Sequence, residues 1–237
     1  MSVWAVVPAA GQGARMGAPL PKQYLPLRGR LLIEHTLERL LSHPRIAGVL
    51  VAIAADDEHW PRVAHAHHQR LHTVTGGAER CHSVTNALAW LEAREGAVGR
   101  SDDWVLVHDA ARPCITHADV DLLLTTLTDH PVGGLLGLPV RDTMKRAEAD
   151  GTVTATVPRE GLWHALTPQM FRLGTLRAAL DRALARGELV TDESSAVELA
   201  GLRPRLVAGR ADNIKVTRPE DLVLADLYLR QQEEESR

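Results

Sequence analysis

Short, unbroken apolar runs alternate with stretches of helical periodicity from the amino terminus to Val140. Val3 to Val7, closed by Pro8, is the first such run, Val49 to Ala54 and Trp104 to Val107 repeat it, and Leu71 to Thr75, ended by Gly76-Gly77, also reads as a strand. Runs of that length read as strands buried on both faces. Between them, Leu31 to Leu41 sets Leu32, Ile33, Thr36, Leu37, Leu40 and Leu41 to one side of a helix, and Ser83 to Ala93 turns Val84, Leu88 and Leu91 inward. Asp56 to His68 and Ala118 to Leu127 also read as helices, and Gly134 to Val140 as a further strand. Strands and helices in alternation predict an α/β fold, a mostly parallel twisted sheet with helices on both faces. Ligands of such sheets gather at the carboxyl ends of the strands. Gly11 and Gly13 follow the first strand, Gly76 and Gly77 the third, and His108 and Asp109 the fourth, which puts three unusual loops on one edge.

Residues 141–163 interrupt the alternation. Thr143 to Glu148 and Thr152 to Val157 flank Ala149-Asp150-Gly151, a hairpin turn signal. An isolated two-stranded hairpin is marginal in water, so a protruding β-hairpin arm needs another surface, either its own domain or a second copy of the chain. Helices resume at Leu173 to Ala185 and Asp192 to Ala200, a strand follows at Arg205 to Val207, and Pro219 opens a last helix that leads into a frayed polar tail from Gln231 to Arg237.

Length and composition narrow this picture. The 237 residues, 45% hydrophobic and 24% charged, fit one domain over 1–237 with a sizeable core. At 3% aromatics, that core rests on Leu, Val, Ala and Ile. A formal charge of −3 argues against a general nucleic-acid binder. Two cysteines, Cys81 and Cys114, make no disulfide framework and suit a cytoplasmic protein. The apolar start lacks a basic n-region, and no apolar run reaches the length of a membrane span.

The candidate chemistry lies in the loop from Pro8 to Lys22. Ala9, Ala10, Gly11 and Gly13 are small enough to let backbone N–H groups approach phosphate oxygens. The loop is no dinucleotide fingerprint, because the third glycine would fall at Met16, and no Walker A loop, because Gly-Lys-Ser/Thr is missing. Arg15 and Lys22 follow instead, two separated cations that can grip a triphosphate along its length. Alone, the glycines also fit a tight turn and the cations an ordinary surface. Among twelve histidines, the group His59, His65, His67, His68 and His72 lacks partners at metal-ligand spacing and reads as a solvated helix face. Asp109, just past the fourth strand, is placed where a carboxylate can approach a metal or substrate hydroxyls.

Combined with Pro21-Lys22-Gln23-Tyr24-Leu25, the loop resembles the 2-C-methyl-D-erythritol 4-phosphate cytidylyltransferase family. The resemblance extends, in order, through His108-Asp109-Ala110-Ala111-Arg112-Pro113, Arg141-Asp142-Thr143-Met144-Lys145, Leu162 to Gln169, Thr191-Asp192-Glu193 and Ala211 to Thr217. It implies a Rossmann-like nucleotidyltransferase fold and transfer of CMP from CTP to methylerythritol phosphate with release of pyrophosphate. It implies that Arg15, Lys22 and Lys215 surround the α-phosphate, and that Ala9, Ala10, Gly11, Gly13, Gly76, Gly77, Ser83, Asp109 and Ala110 hold CTP. Ser83 also fits a helix cap, and Ala78 stands where relatives often carry an acid. Asp109, Arg112, Thr143, Arg159, Thr167 and Thr191 match acceptor-binding positions. The resemblance further implies Mg²⁺ carried mainly by the nucleotide phosphates, and a homodimer through the 141–163 arm in which Arg159 completes the neighbour's site. Some members are fused to a cyclase domain, for which 237 residues leave no room. A pentitol phosphate such as ribitol 5-phosphate as acceptor, and a non-catalytic CTP-binding regulator, are the alternatives.

Overall fold

The structure, a computed structural model, describes residues 2–11, 20–94 and 99–235. Its centre is a seven-stranded sheet. The strands in chain order are β1 (Val3–Pro8), β4 (Gly48–Ile53), β5 (Leu71–Thr75), β6 (Trp104–Val107), β7 (Gly133–Pro139), β10 (Trp163–Arg172) and β11 (Arg205–Ala208), and across the sheet they run β11-β7-β10-β6-β1-β4-β5. Two short strands, β2 (Pro26–Leu27) and β3 (Arg30–Leu31), pair with each other, as do β8 (Met144–Ala147) and β9 (Val153–Val157). Among the described residues six helices accompany them: α1 (Leu32–Ser42), α2 (Arg80–Glu92), α3 (His117–Leu127), α4 (Leu173–Ala185), α5 (Glu193–Leu199) and α6 (Pro219–Glu235).

The side-chain period of two along β1 divides the core. Val3, Ala5 and Val7 face one layer, where they meet Ile33, Leu37 and Leu40 of α1 and Leu123, Leu124 and Leu127 of α3. Trp4 and Val6 face the other, against Val84, Leu88 and Leu91 of α2 and Leu176 and Leu180 of α4. Each fully buried Leu or Val contributes about 1.5–3 kcal/mol, so both faces must be covered. The continuous apolar runs of the sequence record that requirement. A smaller cluster joins Ala225 and Leu229 of α6 to Leu27, Leu32, Ala111 and Cys114, which brings the end of the chain beside the segment after β6.

Four features depart from the sequence-based expectation. The sheet contains β10, antiparallel to both β6 and β7, where no strand is expected. Pro168 is tolerated inside it because the register shifts between Ala165 and Gln169, where the missing N–H is not needed. Asp56 to His68 is not a helix but a set of turns around a 3-10 turn at Trp60–Arg62. Asp57 Oδ1 accepts the N–H groups of His59 and Trp60, and Glu34 Oε1 accepts that of Ala64. These side chains offer the backbone an alternative to the helical ladder. The histidine group is therefore dispersed: His59 packs on Tyr24, His65 pairs with Glu38, and His72 lies between Trp4 and Trp90. The polar tail is not frayed as far as Glu235, because α6 continues through it and buried Gln232 donates to the Cys114 carbonyl and to Asp212. The last two residues lie outside the described ones.

The hairpin β8–β9 projects from the sheet. Its residues are exposed except at the base, and Val153 is 57% exposed. Gly151 takes φ +88° at the turn, a backbone that favours glycine.

Candidate active site

Three loops meet at the carboxyl edge of the sheet, around a cleft of about 410 Å³. The segment Pro8–Gly11 leaves β1, residues Gly77–Arg80 lead into α2, and Asp109–Ala111 follow β6. Lys22 and Gln23 close one side, and Lys215 and Thr217 arrive from the segment before α6.

Close packing fixes the first two loops to each other. A Cβ on Gly76 would stand 2.5 Å from the Ala10 Cβ and 2.9 Å from Ser83 Oγ, and one on Gly77 would collide with His82. Ser83 lies inside the first turn of α2, which begins at Arg80, so it is not that helix's cap. Its hydroxyl accepts the Gly77 N–H at 3.1 Å and lies 3.2 Å from the Glu79 carbonyl, to which it donates. Buried Gln23 donates to the carbonyls of Ala9 and Gly11 at 2.7 and 3.1 Å, so the turn that carries Lys22 is tied to the loop after β1.

A cluster of charge forms the floor. Asp109 is largely buried, yet its Oδ1 accepts from Arg80 Nε at 3.1 Å, and its Oδ2 lies 2.8 Å from Lys215 Nζ and 3.7 Å from Arg112 Nε. Burial by itself would raise the Asp109 pKa; Arg80 first, then Lys215, outweigh it and hold the carboxyl well below the usual carboxylate range. Arg80 is raised in turn: burial opposes its charge, but Glu193 and Asp109 outweigh burial. Its terminal nitrogens hold Glu193 at 2.6 and 3.1 Å.

The next layer orients the first. His108 is fully buried, and burial pushes its pKa down to about 4, so the imidazole is neutral near pH 7. Its Nε2 lies 3.1 Å from the Arg112 carbonyl, which can only accept, so Nε2 carries the proton and Nδ1 accepts the Thr167 hydroxyl at 3.0 Å. Thr167 Oγ1 in turn accepts the Asp109 N–H at 3.1 Å. Asn213 donates to the Thr167 carbonyl at 2.7 Å, and Arg112 Nη1 donates to the Asn213 carbonyl at 2.7 Å. These bonds draw β6, β10 and the segment before α6 into one unit.

Among the residues expected at the site, Lys22, Lys215, Ala9, Ala10, Gly11, Gly77, Ser83, Asp109 and Ala110 line the cleft, and Gly76 sits directly behind it. Gly13 and Arg15 lie outside the described residues. Arg112 and Thr167 are buried behind Asp109. Thr143, Arg159 and Thr191 are exposed and do not line the cleft; Arg159 donates to the Arg141 carbonyl at the base of the hairpin. Both Asp109 oxygens face cations rather than open space. Sequence reasoning missed Gln23 and Arg80 as individual site residues. Their only signal was position, inside the Pro21–Leu25 block and three residues after the paired glycines.

Comparisons with known proteins place the chain in a family. The profile of the 2-C-methyl-D-erythritol 4-phosphate cytidylyltransferase (IspD) family matches residues 3–231. A protein of that name from Pseudomonas putida (strain GB-1) is 58% identical over 220 residues, 92% of each chain. One from Shewanella amazonensis is 54% identical over 233 residues, 98% of this chain and 95% of its own. The crystal structure of the Francisella tularensis protein superposes with a TM-score of 0.83 at 33% identity, covering 96% of this chain and 100% of that one.

The neutral His108 carries a pH signature. Below its ordinary pKa of 6.5 the unfolded chain takes up a proton that the native imidazole refuses until about pH 4. Stability therefore falls as pH drops through that window. His108→Gln keeps one acceptor and one donor without the titration. Urea unfolding at pH 7.5 and pH 5 should show wild type losing about 2 kcal/mol more than the variant; equal losses would refute a neutral buried imidazole.

Proposed function

The chain belongs to the 2-C-methyl-D-erythritol 4-phosphate cytidylyltransferase family, and from that premise we propose how its residues carry out the reaction. It is a CTP-dependent nucleotidyltransferase of the non-mevalonate isoprenoid pathway. CMP passes from CTP to 2-C-methyl-D-erythritol 4-phosphate, giving 4-diphosphocytidyl-2-C-methyl-D-erythritol and pyrophosphate. An oxygen of the acceptor phosphate attacks the α-phosphorus in line. A new P–O–P bridge forms as the bond to the β-phosphate oxygen breaks, and the electron pair leaves on pyrophosphate. The attacking oxygen is already anionic, so no general base is required. The barrier is repulsion between anions and the charge of the transition state, and positioned cations lower both.

The observation that carries this assignment of roles is the convergence of Lys22 and Lys215 on one cleft whose walls are small residues. Lys22, Lys215 and Arg15 surround the α-phosphate. The backbone of Ala9–Gly11 and Gly13 faces the triphosphate, while Gly76, Gly77 and Ser83 hold the cytidine in a space too tight for added side chains. A divalent cation such as Mg²⁺, carried by the triphosphate, would supply neutralisation of phosphate charge. Among the described residues no group of three His, Cys, Asp or Glu is arranged to hold a metal. Both Asp109 oxygens already face Arg80 and Lys215, so such an ion would be held mainly by phosphate and water.

Asp109, Arg112, Thr143, Thr167 and Thr191 hold the acceptor, and Arg159 joins them from a second copy of the chain. The exposed hairpin supports this reading, since two strands alone are marginal in water. The arm crosses to the partner, and Arg159 completes the partner's acceptor pocket. Two buried free thiols, Cys81 and Cys114, fit the cytoplasm. No described helix is long and apolar enough to cross a membrane.

Two experiments test these assignments. Pyrophosphate release from CTP should require methylerythritol phosphate and Mg²⁺ and be far slower with ribitol 5-phosphate. Lys22→Ala should lower turnover by about 100-fold or more while changing CTP affinity only a few-fold; near-normal turnover would remove Lys22 from the transition state. Second, Arg159→Ala chains mixed with Lys22→Ala chains should regain activity that neither has alone. A mixture as inactive as its components would place Arg159 in its own chain's site.

A further inference from the structure

Glu193 is 1% exposed, belongs to the Thr191-Asp192-Glu193 block, and does not line the cleft. We propose that Glu193 is a positioning residue: it clamps the fork of Arg80 so that Asp109 keeps one oxygen for Lys215. The proposal rests on Lys215 acting at the reacting phosphates.

The geometry carries it. Arg80 has three nitrogens able to face a carboxylate, and Glu193 takes both terminal ones, at 2.6 and 3.1 Å. Only Nε remains for Asp109, and it meets Oδ1 at 3.1 Å. Oδ2 is left to Lys215 Nζ, 2.8 Å away. Without Glu193, the freed fork would compete for both Asp109 oxygens in the bidentate pairing that arginine and carboxylate favour. Lys215 would then lose the anchor that holds its ammonium at the cleft.

Glu193 is itself fixed. Asp192 caps α5 by accepting the Ser195 N–H at 2.9 Å and also accepts from Gln169 Nε2 at 2.9 Å. Gln169 Oε1 accepts the Ser194 N–H at 2.8 Å. The Thr-Pro-Gln and Thr-Asp-Glu blocks therefore lock together, and Glu193 transmits their position through Arg80 to Asp109. Stability alone explains the pair poorly. Burying a carboxylate costs several kcal/mol, and an apolar replacement of a buried pair is often neutral or better. What an apolar pair could not supply is the division of the Asp109 oxygens.

The test uses the full chain and the pyrophosphate assay with CTP and methylerythritol phosphate. Glu193→Gln should lower kcat about 10- to 100-fold with the KM for CTP within about 3-fold, and its thermal midpoint should show a folded protein. In a Lys215→Ala background the same substitution should cost nothing further, because the residue it acts through is gone. A folded Glu193→Gln enzyme with near-normal kcat overturns the proposal. So does a loss confined to KM, or one that multiplies with that of Lys215→Ala, as a merely structural role would give. If Glu193→Gln does not fold, Glu193→Asp decides in the same assay, since it keeps the charge and shortens the reach. Lys215→Ala alone separates the premises: undiminished turnover there removes the role of Lys215 itself, whereas an inactive Lys215→Ala beside a normal Glu193→Gln removes only the clamp.

Discussion

A carboxylate buried at the end of a strand cannot stay ionised unless cations come to it, and the carboxylate of Asp109 draws them from three directions. Arg80 comes from the start of α2, Arg112 from the turn after β6, and Lys215 from the segment before α6. Arg80 and Arg112 are desolvated in turn, and the carboxylate offsets part of that cost for both. The cluster therefore joins parts of the chain that sequence separates by more than a hundred positions. It also leaves positive charge facing a cleft whose walls are backbone and small side chains. That is the requirement for a reaction between two anionic phosphates.

The reversed strand β10 makes the cluster possible. Running against its neighbours, it brings Thr167 beside Asp109 and Gln169 beside the start of α5. A loop could place either group, but loop side chains are held less firmly than those of a strand paired on both sides. The neutral His108 adds direction, because its fixed tautomer orients the Thr167 hydroxyl and leaves that oxygen to receive the Asp109 N–H. Nucleotide-side and acceptor-side blocks thus share one hydrogen-bonded frame.

Much of this was legible in the sequence, for identifiable reasons. β1, β4 and β6 are buried on both faces and so read as unbroken apolar runs, whereas the edge strand β5 leaves Thr73 and Thr75 exposed. The paired glycines after β5 are demanded by the close approach of Ala10, Ser83 and His82, which leaves a compositional mark. β10 left none, because polar His164, Thr167, Gln169 and Arg172 break its alternation and Pro168 argues against a central strand. The false helix at Asp56 to His68 failed on Asp57 and Glu34, whose hold on backbone N–H groups no periodicity reveals. Glu193 stood within a recognised block, yet nothing in a sequence tells a buried carboxylate from a solvated one. Thr143, Arg159 and Thr191 match family positions, and in this chain they do not line the cleft.

The central claim is that Asp109 is kept ionised by its cations, and a side-chain carboxyl titration by carbon-13 NMR tests it most directly, with the resonance assigned by its loss in Asp109→Asn. The account predicts that the Asp109 signal remains that of a carboxylate as pH falls through 3.8, the ordinary aspartate value, while exposed aspartates protonate around it. A midpoint at or above 3.8 would contradict it, because burial would then have prevailed over Arg80 and Lys215.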